Sequence, residues 1–374
     1  MIFLKLKMFP QAKIYFKRFD WILFISVLAL SSVGLISLRS TAQLSGDFSS
    51  FEKQLLFLII GVLFLFAFSL IDIKAFKESS LFIIILYFVF SLLLFLLFFF
   101  GVEKGGAGRW FQVGDFLFQP SEFMKFVFVL FFAKFFSERH IELYLPRHII
   151  ISMIYMGFPA ILVFMQPDFG SAIILVSIWL GILLISGIKR KHIAIIFISG
   201  FILFFILWNF FLEDFQKNRV FSFLNPNMDL SGINYQANQA LITVGSGGFW
   251  GKGFGQGTQV QYGFLPGGKT DFIFAAICED FGVFGGSILI IFYIVLFWRL
   301  TSIILKIHED NFSKLFISGV LVLISIQSFI NLAMNLNLLP ITGIPLPFVS
   351  YGGSNLITLL MLIGLVESIR VYQR

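Results

Sequence analysis

Apolar runs long enough to cross a bilayer recur along the whole chain, and no other feature narrows its fold so far. About 30 Å of hydrocarbon takes roughly 17 to 25 apolar residues as a helix, because only intrahelical bonds satisfy the backbone where water is excluded. Such runs begin near Trp21, Gln54, Ser80, Phe123, His148, Phe169, His192, Phe272, Lys314 and Tyr351. The pattern predicts an all-α, polytopic integral membrane protein of about ten transmembrane helices, the fourth rather short. Composition agrees: 58% of residues are hydrophobic and 13% charged, too few polar groups to cover a core in water. Basic residues precede the first run and Ser40-Thr41-Ala42 follows it, as in a secretory signal, but it is too long for a usual signal core and reads as a helix. Residues 1–374 read as a single membrane domain without a repeat or a soluble linker.

A formal charge of +7 would suggest nucleic acid in a soluble protein; here its distribution between loops matters more, and no nucleic-acid partner is indicated. With a cytoplasmic amino terminus, about two-thirds of the 27 Lys and Arg fall in inside segments, from Lys5, Lys7, Lys17 and Arg18 to Arg370 and Arg374. Both termini then face the cytoplasm. The outer loops are Arg39 to Lys53, a Gly-rich one from Val102 to Ser121, the turn Gln166 to Asp168, Leu339 to Ser350, and the longest, 213–270, between helices 7 and 8. A loop of that length is uncommon without function or structure of its own. Within it, Asn234 to Val244 reads as a short amphipathic helix offering Tyr235, Leu241, Ile242 and Val244 to the interface, followed by a glycine-dense stretch to Gly268. The single cysteine, Cys278, excludes an internal disulfide and a Cys-based metal site. His140, His148, His192 and His308 all fall at cytoplasmic helix ends, away from any outer site.

The polar residues that carry chemistry gather on the outer side. Asp271 directly precedes an apolar run, where an aspartate caps the helix; a partly desolvated carboxylate there also suits a general base for a hydroxyl nucleophile, and the two readings are compatible. Asp168 repeats the arrangement after Pro167. Glu122 and Lys125, three residues apart, share one helix face as an ion pair, yet ionisable groups within an apolar span also mark function. Arg109-Trp110 reads as an interface anchor, or Arg109 joins Lys125, Lys252 and Lys269 in a cationic pocket for a phosphate-bearing ligand. Glu279 and Asp280, about two turns into the eighth span, call for partners or water. A nucleotide-loop reading of Gly245 to Gly257 fails, since Gly253 follows Gly251-Lys252 where Ser or Thr is needed and Ser246 stands at the first glycine position.

In order along nearly the whole chain stand Gly106-Ala107-Gly108-Arg109-Trp110, Gln119-Pro120-Ser121-Glu122, Gln166-Pro167-Asp168-Phe169-Gly170 and Gly245-Ser246-Gly247-Gly248. Then come Gly251-Lys252-Gly253, Gly257-Thr258-Gln259, Phe264-Leu265-Pro266, Thr270-Asp271-Phe272 and Leu346-Pro347-Phe348-Val349-Ser350-Tyr351-Gly352-Gly353-Ser354. Together they strongly resemble the SEDS family of polytopic cell-wall proteins. Gly251-Lys252-Gly253, Gly257-Thr258-Gln259 and Asp20-Trp21 resemble its RodA-type elongation members more than the FtsW-type division members.

The resemblance implies a peptidoglycan glycosyltransferase that polymerises lipid II on the outer face of the cytoplasmic membrane. Its implied partners are a class B penicillin-binding transpeptidase and other elongation-complex membrane proteins. Asp271 then matches the family's essential aspartate, taking the proton of the acceptor 4-hydroxyl as undecaprenyl diphosphate leaves the donor. Charge stabilisation at the leaving group falls to Arg109 and Lys125, with a divalent cation such as Mg or Mn admitted beside them. Trp110, Lys252 and Lys269 are further substrate-binding candidates, and Glu122 and Asp168 shape the cavity. An alpha donor giving a beta product implies one inverting displacement, for which one positioned carboxylate suffices. Gly267, Gly268 and Lys269 depart from the acidic and basic residues, a histidine among them, that often precede the Thr-Asp pair. Cys278-Glu279-Asp280-Phe281-Gly282 varies a segment that is commonly more acidic. The rival readings are a lipid II flippase and a non-catalytic scaffold; polar groups on one side instead of at the midplane argue against the flippase.

Overall fold

The computed structural model describes residues 12–104, 107–114, 116–139, 145–210, 217, 218, 220, 221, 223 and 233–372. Lys5, Lys7, Gly106, His140, the part of the long loop at 224–232 and Arg374 lie outside the described residues. Short α1 (Ala12–Arg18) leads into α2 (Trp21–Thr41), α3 (Ser49–Ser69), the short α4 (Lys74–Glu78) and α5 (Ser80–Phe100). After a small sheet come α6 (Pro120–Glu138), α7 (Pro146–Met165), α8 (Phe169–Ile185) and α9 (Arg190–Phe210). The long segment after α9 contributes α10 (Ile233–Ser246) and α11 (Thr258–Gln261), before α12 (Ile273–Lys306), α13 (Asn311–Asn335) and α14 (Gly353–Tyr372). Among the described residues, eight helices are long and apolar enough to cross a membrane, and α8 is a shorter apolar one. The expected all-α membrane class holds.

Packing explains why two spans are chemically unlike the rest. Of the 19 residues of α6, 15 are buried, among them Glu122 and Lys125, because α5, α8, α13 and α14 surround it. A helix enclosed by protein can carry ionisable groups that lipid would not tolerate. Helix α9 is the opposite case: none of its described residues is buried, and with Ile193 and Ile196 resting against the core most of its apolar surface is left for lipid to cover. Two further packed pairs, α3 against α14 and α2 against α12, close the bundle.

The Gly-rich loop differs from expectation. It folds as a three-stranded antiparallel sheet of β1 (Val102–Lys104), β2 (Ala107–Val113) and β3 (Phe116–Phe118), with Val102 opposite Trp110 and Phe111 opposite Phe118. Aromatic and β-branched residues favour strands here, and Gly114 at φ 60° makes the turn. The amphipathic helix forms as α10, with Tyr235, Leu241 and Ile242 exposed, but Val244 turns inward against the core.

Glycine density after α10 serves backbone approach. Inside α12, Gly282 adopts φ 69°, ψ −170° and kinks the helix. The segment 248–253 lies against this kink, with Lys252 N donating to Glu279 O at 2.9 Å, Gly253 N to Asp280 O at 2.9 Å and Val283 N to Gly248 O at 2.9 Å. A Cβ on Gly282 would fall 2.3 Å from Phe249 O, so only glycine fits. The two carboxylates meet their partners in the same place, Glu279 more fully than Asp280, whose Oδ1 is buried without a hydrogen bond. Buried Glu279 takes Lys252 Nζ at 2.7 Å and the amides of Gln259 and Val260 at 2.9 and 3.1 Å, at the start of α11. Asp280 accepts from Ser40 Oγ of α2.

Candidate active site

Helices α6, α8 and α14 all begin at one end of the bundle, where Asp271 also precedes α12. A cavity of about 420 Å³ opens there, walled by the sheet, these helix starts and the stretch 343–355. Arg109, Trp110, Glu122, Asp168 and Asp271, far apart in sequence, all line it.

Asp168 caps α8, accepting Ser171 N at 3.1 Å, and also pairs with Arg109 at 3.4 Å. The cap and the ion pair therefore coexist. Arg109 Nη2 donates to Pro167 O at 2.7 Å, which aims the guanidinium along the wall. Glu122 receives Lys125 Nζ at 2.7 Å and Asn355 Nδ2 at 2.6 Å, all three side chains being buried. Burial of both charges is tolerable because they pair with each other and the second carboxylate oxygen meets the asparagine amide.

Asp271 is half-buried, and its position is set by main-chain bonds. Asn331 Nδ2 and Asn335 Nδ2, one turn apart on α13, donate to Asp271 O at 2.9 and 3.0 Å. Asn331 Nδ2 also reaches Ile344 O at 2.8 Å, tying the Asp271 segment to the proline-rich stretch. Ser350 Oγ donates to Thr270 O at 2.6 Å from the other side. Phe272, not Asp271, occupies the cap position of α12 and makes no side-chain cap bond. Gly343, at φ 72°, presents no side chain to the carboxylate: a Cβ there would stand 3.6 Å from Asp271 Oδ2.

Of the four cations expected together, Arg109 lines this cavity. Lys125 is buried behind Glu122, Lys252 is drawn to Glu279 at the kink of α12, and Lys269 meets the 343–355 stretch through its carbonyl, which accepts Tyr351 N at 3.0 Å. The second cation on the cavity wall is Lys53 of α3, which sequence reasoning passed over as a loop residue. Asn331 and Asn335 were also missed, although two amides four residues apart in an apolar span are a signal of shared work.

The profile of the FtsW/RodA/SpoVE family, described as cell cycle proteins, matches residues 14–374. Stage V sporulation protein E of Bacillus subtilis (strain 168) is 34% identical over 365 residues, covering 95% of this chain and 98% of that protein. Peptidoglycan glycosyltransferase MrdB of Escherichia coli (strain K12) is 37% identical over 277 residues, 74% of each chain. Among solved structures, a chain from a peptidoglycan synthase complex that coordinates polymerization and crosslinking superposes with a TM-score of 0.81 at 26% identity, covering 95% of this chain and 99% of that one. The rod shape determining protein RodA of Thermus thermophilus does so with a TM-score of 0.69 at 25% identity, covering 95% and 98%. A match spanning sheet, kinked helix and cavity alike leaves one conclusion: the chain belongs to the FtsW/RodA/SpoVE family, the SEDS proteins that its motifs resemble.

Proposed function

We propose that this protein is an inverting peptidoglycan glycosyltransferase that polymerises lipid II on the outer face of the cytoplasmic membrane during cell elongation. The observation that carries this reading is Asp271, its main chain clamped by Asn331 and Asn335, on the lining of a cavity that also holds Arg109 and Lys53. Two relatives' roles support it, since MrdB is named a peptidoglycan glycosyltransferase and the Thermus protein a rod shape determinant. The orientation rests on the inside bias of Lys and Arg, which puts both termini in the cytoplasm and the cavity outside.

The acceptor sugar 4-hydroxyl gives its proton to Asp271 as its oxygen attacks the donor's anomeric carbon. The bond from that carbon to undecaprenyl diphosphate breaks, its electrons leaving on the diphosphate. Arg109 faces that anion with a forked set of donors and Lys53 with a point charge. Asp168 holds Arg109, and Glu122 with Lys125 holds the wall behind them. A divalent cation such as Mg²⁺ would be held by the substrate diphosphate together with Asp271 and would add charge stabilisation at the leaving group. Among the described residues no group of three or more His, Cys, Asp or Glu side chains is gathered closely enough to hold a metal ion. A class B penicillin-binding transpeptidase would crosslink the strands made here.

The test is polymerisation of lipid II by purified Asp271→Asn protein, with and without the transpeptidase. Loss of a general base costs about 10²- to 10⁴-fold, and folding should be unchanged. Undiminished polymer would overturn the base assignment. Lipid II crossing liposomes with no polymer from the wild type would replace the enzyme by a flippase.

A further inference from the structure

Helix α6 runs from Glu122 at the site to Glu138, about 24 Å further at 1.5 Å per residue. There a second cavity, of about 470 Å³, opens between α5, α6 and α7. Its walls are divided by chemistry. Ile83, Ile84, Phe88, Phe131 and Ile151 make one part apolar, while Lys134, Arg139, Arg147 and His148 stand at the other. Among the described residues, three permanent cations thus face one lining carboxylate, Glu138, which bonds Lys134 at 2.8 Å and lies 3.8 Å from Arg139. Arg147 has no acidic partner among the described residues. Helix α7 also begins here, with Leu145 at its cap making no side-chain cap bond, so the positive end of a 20-residue helix adds to the excess. The apolar wall does not stop at the cavity: Ile84 and Phe88 of α5 and Ile150 and Ile154 of α7 are exposed beside it, continuous with the lipid-facing surface.

We propose that this cavity binds an anionic phospholipid, its phosphate held by Arg139, Arg147 and the start of α7 and an acyl chain laid along Ile84, Phe88 and Ile151. A zwitterionic lipid would leave the excess positive charge uncompensated, and a free phosphate would leave the apolar wall in water. On the orientation proposed above, the lipid comes from the cytoplasmic leaflet, where anionic headgroups concentrate; the binding itself does not depend on that orientation.

The full chain, purified and reconstituted in phosphatidylcholine nanodiscs, is titrated with spin-labelled phosphatidylglycerol and, separately, spin-labelled phosphatidylcholine. The immobilised fraction is read by electron paramagnetic resonance. Wild type should select phosphatidylglycerol, and Arg139→Gln with Arg147→Gln should reduce that selectivity roughly tenfold. Arg139→Lys with Arg147→Lys should keep most of it, which separates lost charge from lost fold. Arg190→Gln with Lys191→Gln, an equal charge change at the start of α9, should leave it intact. Equal selectivity in the Gln variant, an equal loss in the α9 control, or displacement by glycerol 3-phosphate as effective as by whole lipid would each overturn the proposal.

Discussion

A buried charge is safe only with its partner, and Glu122 illustrates the point. Its carboxylate is shared between Lys125 and Asn355, and neither it nor Lys125 is more than 4% exposed at the side chain. Glu122→Gln would leave the ammonium buried without a counter-charge, a loss of about 3 to 5 kcal/mol. We expect a clear drop in the thermal midpoint in detergent, and recovery of most of it in the double variant with Lys125→Met. A double variant no more stable than the single one would show that the pair contributes more than mutual neutralisation. Asp271 belongs at this scale as well. Its position before a helix was legible in the chain, but its main-chain anchors, Asn331 and Asn335, lie 60 and 64 residues away and became visible only when α13 was laid beside it.

Among the elements, kinked α12 and the segment that stitches onto it show why glycines cluster. Gly282→Ala places a side chain in a backbone conformation open essentially to glycine and drives it into Phe249 O. The conformation alone costs about 1 to 3 kcal/mol. Hydrogen exchange should accelerate at the Lys252 and Gly253 amides, which bond to α12. Gly245→Ala, in α10 where an added Cβ meets nothing within 4 Å, should be neutral or slightly stabilising. Equal effects from the two substitutions would refute the close-approach explanation. The sheet between α5 and α6 is the element that sequence patterning hid, because strands of three to seven residues set among glycines leave little alternation to read.

For the whole molecule, burial by protein and exposure to lipid look alike in hydropathy and differ in consequence. Phe128 of α6 is fully buried, and Ile198 of α9 is 61% exposed. Phe128→Ala opens a cavity and should cost about 3 kcal/mol or more, whereas Ile198→Ala should shift the unfolding midpoint in lipid nanodiscs little, since acyl chains fill the space. The length and spacing of the apolar runs by themselves determined a polytopic helical protein, because a backbone in hydrocarbon has so few ways to satisfy its hydrogen bonds. Ordered local motifs carried the family in the same way, each being a short run that needs no distant partner to be recognised. Tertiary structure alone decided which cations share a cavity. It took Lys125 and Lys252 to private carboxylates, brought Lys53 and Arg109 to one cavity, and fastened Asp271 through α13. Those choices depend on distances between helices remote in sequence, and a one-dimensional charge map holds no such distances.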